Sequence, residues 1–289
     1  MERKKSFAHS VKQKLFNLSQ KQSEDFQIVL TKYALERILA RLAASSYQSD
    51  FVLKGAMLFA VWSEGGVSHR ATRDIDFLSF GSSDVEDLVG IFREVCSIEI
   101  AEDGVEFVSG SIKGERIKAE QEYEGVRVHV LALLEKTRVP LRIDVGFGDV
   151  IEPKAEEIEY PTLLNFPRPK IRIYPRETVI AEKFHALVDL GMTNSRLKDF
   201  YDLYFLTTNF QIEREVAARA IRATFERRKT AIPAKIPLAL TTEFSRDASK
   251  KMQWRGFLKR SNLPVDMELE SVVEALKDYF EDLLKTLNS

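Results

Sequence analysis

Several residue types that would point to a specialised class of protein are scarce in this chain. Its 289 residues include one cysteine, Cys96, which excludes an intrachain disulfide and a cysteine-rich zinc site. The four histidines, at positions 9, 69, 129 and 185, are scattered and form no close metal-ligand pair. No stretch approaches the roughly 20 apolar residues of a membrane span, and the basic start of the chain lacks the apolar segment of a secretory signal. We therefore expect a cytoplasmic protein with no membrane partner.

An excess of charge of one sign is also lacking. The chain has 43 Lys and Arg against 44 Asp and Glu, so it is not a polycation that coats nucleic acid through bulk charge. The charge is nevertheless uneven, because residues 213–260 contain 13 basic and 5 acidic side chains. This segment interleaves Lys and Arg with Trp254 and Phe257, a pattern that suits an RNA backbone and unstacked bases. The alternative is a solvated helical face whose two aromatic side chains pack inward.

The distribution of apolar residues predicts a mixed α/β region followed by a helical region. The length suits one large domain or two ordinary ones, and we place the boundary at residue 175, giving residues 1–175 with an N-terminal helix and a helical domain over 176–289. Helices are predicted over 23–44, 55–62, 177–190 and 197–206, and one more is opened by a Ser83–Glu86 capping box. Strands are predicted over 51–53, 74–80, 105–108, 112–118, 126–134 and 141–147, with a turn at Glu124-Gly125 and a proline-rich connector over 165–175.

Three aspartates on two of these strands are candidate metal ligands. Side chains alternate along a strand, so Asp74 and Asp76 share one face while Ile75 points to the core. Asp144 lies on the polar face of the later strand. If the two strands are neighbours, three carboxylates come together, as Mg²⁺ ions require for phosphoryl transfer. The alternative for a lone Asp-x-Asp pattern is a solvated strand face.

Two further segments carry charge where it is unexpected. Lys54-Gly55-Ala56 ends a strand and opens a helix, where backbone N–H groups can bind phosphate, although a lone glycine there is more often only a turn. Lys183 lies within an apolar helical stripe, and the next helix carries Asp199 and Asp202 on one face. Lys183 either reaches a triphosphate or extends to solvent from the edge of the stripe, and the aspartates are either catalytic or part of a structural ion pair.

Taken together, these motifs resemble the AbiEii family of nucleotidyltransferase toxins, from abortive-infection toxin–antitoxin systems, within the polymerase-beta-like superfamily. The resemblance covers residues 50–206 and is carried by five motifs in this order: Lys54-Gly55-Ala56, Arg70-x-Thr72-Arg73-Asp74-Ile75-Asp76-Phe77, Ile143-Asp144-Val145-Gly146-Phe147-Gly148-Asp149, Ala181-Glu182-Lys183 and Lys198-Asp199-Phe200-Tyr201-Asp202-Leu203. One departure is Ala56, where the superfamily usually has Gly or Ser, which removes a hydroxyl contact to phosphate but keeps the backbone amide.

The resemblance implies a polymerase-beta-like core with a mixed sheet, and a helical C-terminal domain that completes the active site. It implies that Mg²⁺ binds Asp74, Asp76 and Asp144, and that Lys183 and Asp199, with Asp202 as second choice, belong to the active site. Lys54, Gly55, Ala56, Thr72 and Arg73, together with Lys183, are the predicted nucleotide-binding residues, and Arg70 is a further candidate phosphate contact.

The predicted reaction is transfer of a nucleoside monophosphate from a nucleoside triphosphate to an acceptor. The resemblance implies the 3′ end of tRNA as acceptor, a block of translation and a cognate antitoxin, and Asp144 or Asp199 is the candidate base for the acceptor hydroxyl. Three alternatives remain open: a nucleotidyltransferase with a protein or small-molecule acceptor, a nucleotide-binding module without turnover, and a metal-dependent nuclease.

Overall fold

The computed structural model describes residues 2–63, 72, 74–118 and 124–288, with the backbone alone for 2–5, 118 and 124. The chain divides into two compact units. The first comprises Met1–Gly148 and Glu156–Ile173, and the second comprises Asp149–Ala155 and Tyr174–Ser289.

The first unit is an eight-stranded mixed sheet with helices. Its helices are α1 (Glu2–Gln22), α2 (Phe26–Ala43), α3 (Leu58–Trp62) and α4 (Val85–Ser97). Its strands are β1 (Phe51–Lys54), β2 (Asp74–Ser79), β3 (Val105–Phe107), β4 (Lys113–Lys118), β5 (Glu124–Leu134), β6 (Thr137–Phe147), β7 (Glu156–Glu159) and β8 (Lys170–Ile173). The strand order is β3-β5-β6-β2-β1-β8-β7, and β4 pairs with the other edge of β5. The predicted α/β class with a mixed sheet is confirmed.

Alternation along β2 and β6 decides which side of the sheet is buried. Ile75, Phe77, Ile143 and Val145 are buried on one face. Phe92 of α4 packs on this face, with its ring centroid 6.4 Å from that of Phe77. Asp74, Asp76 and Asp144, which alternate with these apolar residues in the sequence, lie on the opposite face. Strand β6 runs parallel to β2 and antiparallel to β5, so β2 and β6 are neighbours, as the sequence hypothesis required.

Local structure differs from the sequence prediction at four places. Helix α4 begins one residue later than predicted, because Asp84 and not Ser83 accepts the N-terminal amide hydrogen bonds. Residues 55–57 form a 3₁₀ turn, so the α-helix predicted from residue 55 begins at Leu58.

The other two differences concern strands. Gly125 pairs with Ile117 inside the sheet and is no turn. The loop joining β5 and β6 is Glu135-Lys136, where Glu135 has φ of 54°. The proline-rich connector contains β8, which runs parallel to β1 and antiparallel to β7.

The second unit is helical. It consists of α5 (Arg176–Leu190), α6 (Leu197–Asn209), α7 (Arg214–Arg227), α8 (Thr242–Arg246), α9 (Ala248–Arg260) and α10 (Leu269–Asn288). Its core is aromatic: the Phe184 and Phe280 rings stack with centroids 4.1 Å apart, and those of Phe200 and Phe244 at 4.9 Å. Across the described ranges, no helix has the combination of length and hydropathy that a membrane span needs.

Candidate active site

The polar face of the sheet carries a row of four charged residues on four neighbouring strands. The strand register sets Lys54 opposite Asp76, Asp76 beside Asp144, and Asp144 opposite Arg127. Because directly paired residues project to the same face, the two carboxylates stand side by side with a basic residue at each end of the row. Asp74 lies in the adjacent row, beside Arg142.

A basic residue faces each of these three carboxylates. Arg127 donates from Nε to Oδ1 of Asp144 at 2.8 Å and from Nη2 to Oδ2 at 2.7 Å, the two-point geometry typical of guanidinium and carboxylate. These bonds raise the pKa of Arg127 above its usual range. Arg142 Nε donates to Oδ1 of Asp74 at 2.7 Å. The like charges of the aspartates are therefore offset by side chains of the same sheet.

The Lys54-Gly55 segment borders the row at its β1 end. Gly55 has φ of +75°, and a Cβ on this residue would lie 2.1 Å from Oδ2 of Asp76. Only glycine fits this position, both in backbone conformation and in space. The ammonium of Lys54 extends as far as Gly146 of β6, since a Cβ built there would lie 3.6 Å from Nζ. Lys54 therefore reaches across β2, over the face that carries the aspartates.

Of the remaining predicted nucleotide-binding residues in the first unit, the structure describes Thr72 and Ala56. The Thr72 hydroxyl donates to the backbone carbonyl of Asp74 at 3.1 Å, so it fixes the start of β2. The side chain of Ala56 is buried and directed away from solvent. Arg70 and Arg73 lie outside the described residues.

The chemistry of the donor set fits a hard divalent cation. Three carboxylates on two adjacent strands supply the oxygen ligands that Mg²⁺ takes. Within the described part of the chain, no group of three or more His, Cys, Asp or Glu is arranged to hold a metal ion as it stands. Asp74 and Asp144 each pair with an arginine of the same sheet.

In the second unit, Lys183 lies between two buried carboxylates. Its Nζ is 2.6 Å from Oδ1 of Asp199 and 2.8 Å from Oδ2 of Asp202. Asp199 also pairs with Arg196, whose Nε lies 2.8 Å from Oδ2. Burial acts to raise the pKa of Asp199, but the charges of Lys183 and Arg196 outweigh it and hold this pKa below its usual value. Asp199, the preferred candidate, and Asp202, the second choice, thus both contact Lys183.

A second polar cluster in this unit was not anticipated from the sequence. Nη2 of Arg228 lies 3.2 Å from Oδ1 of Asp149, and its Nη1 lies 3.3 Å from Nδ1 of His185. The other ring nitrogen of His185 is 3.0 Å from the Thr230 hydroxyl. Burial, and then the Arg228 charge, lower the pKa of His185 to about 4, so the ring is neutral at neutral pH.

The basic segment over residues 213–260 has a different character from the one its sequence suggested. Trp254 is 1% exposed and donates from Nε1 to the backbone carbonyl of Met267 at 2.7 Å, and Phe257 is also buried. Of the two interpretations of this segment, the structure supports the helical face whose aromatic side chains pack inward, because α9 turns both toward the core of the unit. Its exposed cations are Arg255, Lys259 and Arg260.

Comparisons with known proteins identify the family of the chain and solved structures of similar fold. The sequence model of the family described as "Nucleotidyl transferase AbiEii toxin, Type IV TA system" matches residues 37–284. The chain belongs to the AbiEii family. It is therefore a nucleotidyltransferase of a type IV toxin–antitoxin family, and the family implies a nucleoside triphosphate substrate and an antitoxin partner.

Two solved structures from Helicobacter pylori resemble this AbiEii protein in fold. The structure of JHP933 has a TM-score of 0.54 and 19% identity, covering 91% of this chain and 94% of its own. A second, described as a "putative nucleotidyltransferase", has the same TM-score and identity, covering 91% of this chain and 97% of its own. Among curated proteins none matches significantly.

Sequence reasoning missed two residues of the polar face in this AbiEii protein, Arg127 and Arg142. A signal for both was present, because each lies on the polar side of an alternating strand. The β5–β6 register was needed to bring Arg127 to Asp144, and that register follows from the two-residue loop at Glu135-Lys136. The loop escaped notice because Glu-Lys is not a typical hairpin turn sequence.

Proposed function

We propose that this chain is a Mg²⁺-dependent nucleotidyltransferase toxin that adds a nucleoside monophosphate to the 3′ end of tRNA and so blocks translation in the cytoplasm. The observation that carries the proposal is the pair Asp76 and Asp144, side by side on parallel strands with Gly55 closely packed against Asp76. Asp74 adds a third carboxylate on the same face. This set of oxygen ligands beside a glycine turn suits a metal-bound triphosphate.

Asp74, Asp76 and Asp144 would hold the metal ion. When bound, Mg²⁺ would offset the negative charge of the triphosphate and of the attacking and leaving oxygens. The acceptor 3′ hydroxyl forms a bond to the α-phosphorus, the bond from that phosphorus to the bridging oxygen breaks, and pyrophosphate leaves. The work of the chain is mostly positioning and charge neutralisation.

The nucleotide-binding roles follow from charge and backbone. Lys54 carries a positive charge across the carboxylate face, where it can contact phosphate oxygens. Gly55 and the backbone amide of Ala56 leave room for close approach. Thr72 and Arg73, which precede Asp74 in the sequence, and Lys183 complete the proposed phosphate contacts, with Arg70 as a further candidate.

The two candidate bases differ in suitability. Asp199 is fully buried and its pKa is held below the usual value, so it is a poor acceptor for the hydroxyl proton. Its contacts suit a positioning residue that orients the Lys183 ammonium. Asp144 is 20% exposed and is the better candidate base.

An RNA acceptor is supported by the exposed side of α9. Arg255, Lys259 and Arg260 are exposed there, and the helix contains no acidic residue. Such a surface suits contacts to phosphates, which are insensitive to base sequence.

The test is incorporation of label. The purified chain is incubated with Mg²⁺, each α-labelled nucleoside triphosphate in turn, and total RNA, alongside Asp74→Asn, Asp76→Asn and the exposed control Asp266→Asn. We expect label in a tRNA-sized band with the wild type and the control, and none with either metal-face variant. The same reaction on tRNA with an oxidised 3′ end should give no label.

The other outcomes identify the rival functions. Label on protein or on a small molecule would replace the tRNA acceptor. Nucleotide binding without pyrophosphate release would indicate a binding module without turnover. Shortened RNA in the absence of nucleoside triphosphate would indicate a nuclease.

A further inference from the structure

On the polar face, both carboxylate oxygens of Asp144 are engaged by one cation. Arg127 bonds both of its oxygens, at 2.8 and 2.7 Å. Asp74 receives a single bond from Arg142, and Lys54 stands opposite Asp76 in the strand register. The Arg127–Asp144 contact is therefore a two-point ion pair, whereas Arg142 makes one bond to Asp74.

This contact restricts how Asp144 can bind a metal ion. An ionised carboxylate has about four lone-pair positions on its two oxygens, and the guanidinium occupies one on each. A divalent ion that approaches Asp144 also meets a permanent positive charge beside the same oxygens. The side chains of Arg127 and Asp144 are 27% and 20% exposed, so solvent screens this repulsion only in part.

We propose that Arg127 is a positioning residue of the active site that acts as the counter-cation of Asp144 and lowers the affinity of the carboxylate face for a free divalent ion. The inference rests on the proposed function, because it takes Asp74, Asp76 and Asp144 as the metal-binding face. It follows that the metal ion binds tightly only together with the triphosphate, whose negative charge offsets Arg127. The metal and the nucleotide thus enter as one unit.

The test measures metal binding without nucleotide or turnover. Mn²⁺ is titrated into the full chain and free Mn²⁺ is followed by electron paramagnetic resonance. We expect Arg127→Gln to bind Mn²⁺ about tenfold more tightly than the wild type. Arg127→Lys keeps the charge but cannot form the two parallel bonds, so its affinity should lie between the two.

The matched control is Arg138→Gln. Arg138 is exposed on the same face of β6, six residues before Asp144 and about 20 Å away along the strand. It changes the net charge by the same amount, and its Mn²⁺ affinity should stay within about twofold of the wild type. In the double variant Arg127→Gln with Asp144→Asn, the gain in affinity should vanish.

Three results would overturn the proposal. They are unchanged or weaker Mn²⁺ binding by Arg127→Gln, an equal gain in Arg138→Gln, and a gain that persists in the double variant. Circular dichroism of each variant comes first, and if Arg127→Gln does not fold, Arg127→Lys and the double variant decide. A failure of the proposed function would be distinguishable, because it would appear as absent label transfer by the wild type. The ratio of Mn²⁺ affinities between the variants and the wild type could still be measured.

Discussion

Gly55 is packed directly against the carboxylate of Asp76. A Cβ on residue 55 would lie 2.1 Å from Oδ2 and 3.0 Å from the Cβ of Asp76, so rotation of the carboxylate alone would not clear it. The positive φ of Gly55 adds backbone strain for any other residue. We therefore predict that Gly55→Ala lowers the free energy of unfolding by about 1–3 kcal/mol and lowers label transfer at least about tenfold.

Urea denaturation and the transfer assay check this prediction. The control is Gly90→Ala in α4, where an added Cβ meets nothing within 4 Å and alanine favours the helix by up to about 1 kcal/mol. Wild-type stability and transfer in Gly55→Ala would contradict the close approach of Gly55 and Asp76.

Lys183 is the shared partner of two buried acids, which makes it sensitive to truncation. Lys183→Met leaves Asp199 and Asp202 buried without this cation, so we expect a loss of about 3–5 kcal/mol in stability together with loss of transfer. Asp199→Asn, which keeps the shape of the side chain, should show the same direction with a smaller loss of stability. Chemical denaturation measures the stability of each variant, and the label-transfer assay measures its activity.

The control for Lys183 lies on the same helix. Asp189 of α5 is exposed, and Asp189→Asn should change stability by no more than about 0.5 kcal/mol. If Lys183→Met were as stable as Asp189→Asn while losing transfer, the buried ion pair would not stabilise the fold, and Lys183 would serve function alone.

The pH dependence of stability should reflect His185. Its pKa is about 4 in the folded chain, lowered by burial and by Arg228 from the ordinary histidine value of 6.5. The unfolded chain therefore binds a proton that the folded chain does not between these values, so stability is full above pH 6.5 and falls as the pH drops toward 4. The Asp149 and Asp189 carboxylates, which also face the ring, oppose this shift only in part.

Replacing the ring removes this proton uptake. We predict that His185→Gln shows a shallower loss of stability between pH 6.5 and 4.5 than the wild type, by about 1–2 kcal/mol over the range, measured by urea denaturation at each pH. His129, whose side chain is 47% exposed, provides the control His129→Gln, which should follow the wild-type curve. Identical curves for both histidine variants would argue against a neutral, buried His185.

How far the sequence predicts this site depends on the range of the interactions involved. Alternation along one strand puts Asp74 and Asp76 on one face and is a local property, and the adjacency of β2 and β6 is confirmed. The pairing of Arg127 with Asp144 needs the register of the β5–β6 hairpin, and the sequence analysis predicted both strands without assigning the turn at Glu135-Lys136 that joins them. The unassigned turn therefore hid a residue of the site.

The helical unit shows the converse limit. The apolar stripe predicted that Lys183 faces the protein, but the three-residue spacing of Asp199 and Asp202 left open which of the two is the functional carboxylate. Both contact Lys183. Composition alone also failed for Trp254, because an aromatic residue among lysines and arginines looks the same in sequence whether it faces solvent or core. Only the packing of α9 distinguishes these cases.

The basic face of α9 leads to a prediction that separates affinity for RNA from stability. Arg255→Gln together with Lys259→Gln removes two exposed charges, so we expect a higher KM for RNA by about tenfold, a weaker salt dependence and an unchanged KM for nucleoside triphosphate. The control is Lys277→Gln with Lys285→Gln on α10, where both lysines are exposed and paired with acidic neighbours. Trp254→Ala should instead cost about 3–5 kcal/mol of stability, because the ring is buried. If the α9 variant kept the wild-type KM for RNA, the exposed cations of α9 would not be the acceptor surface, and the acceptor would bind elsewhere on the chain.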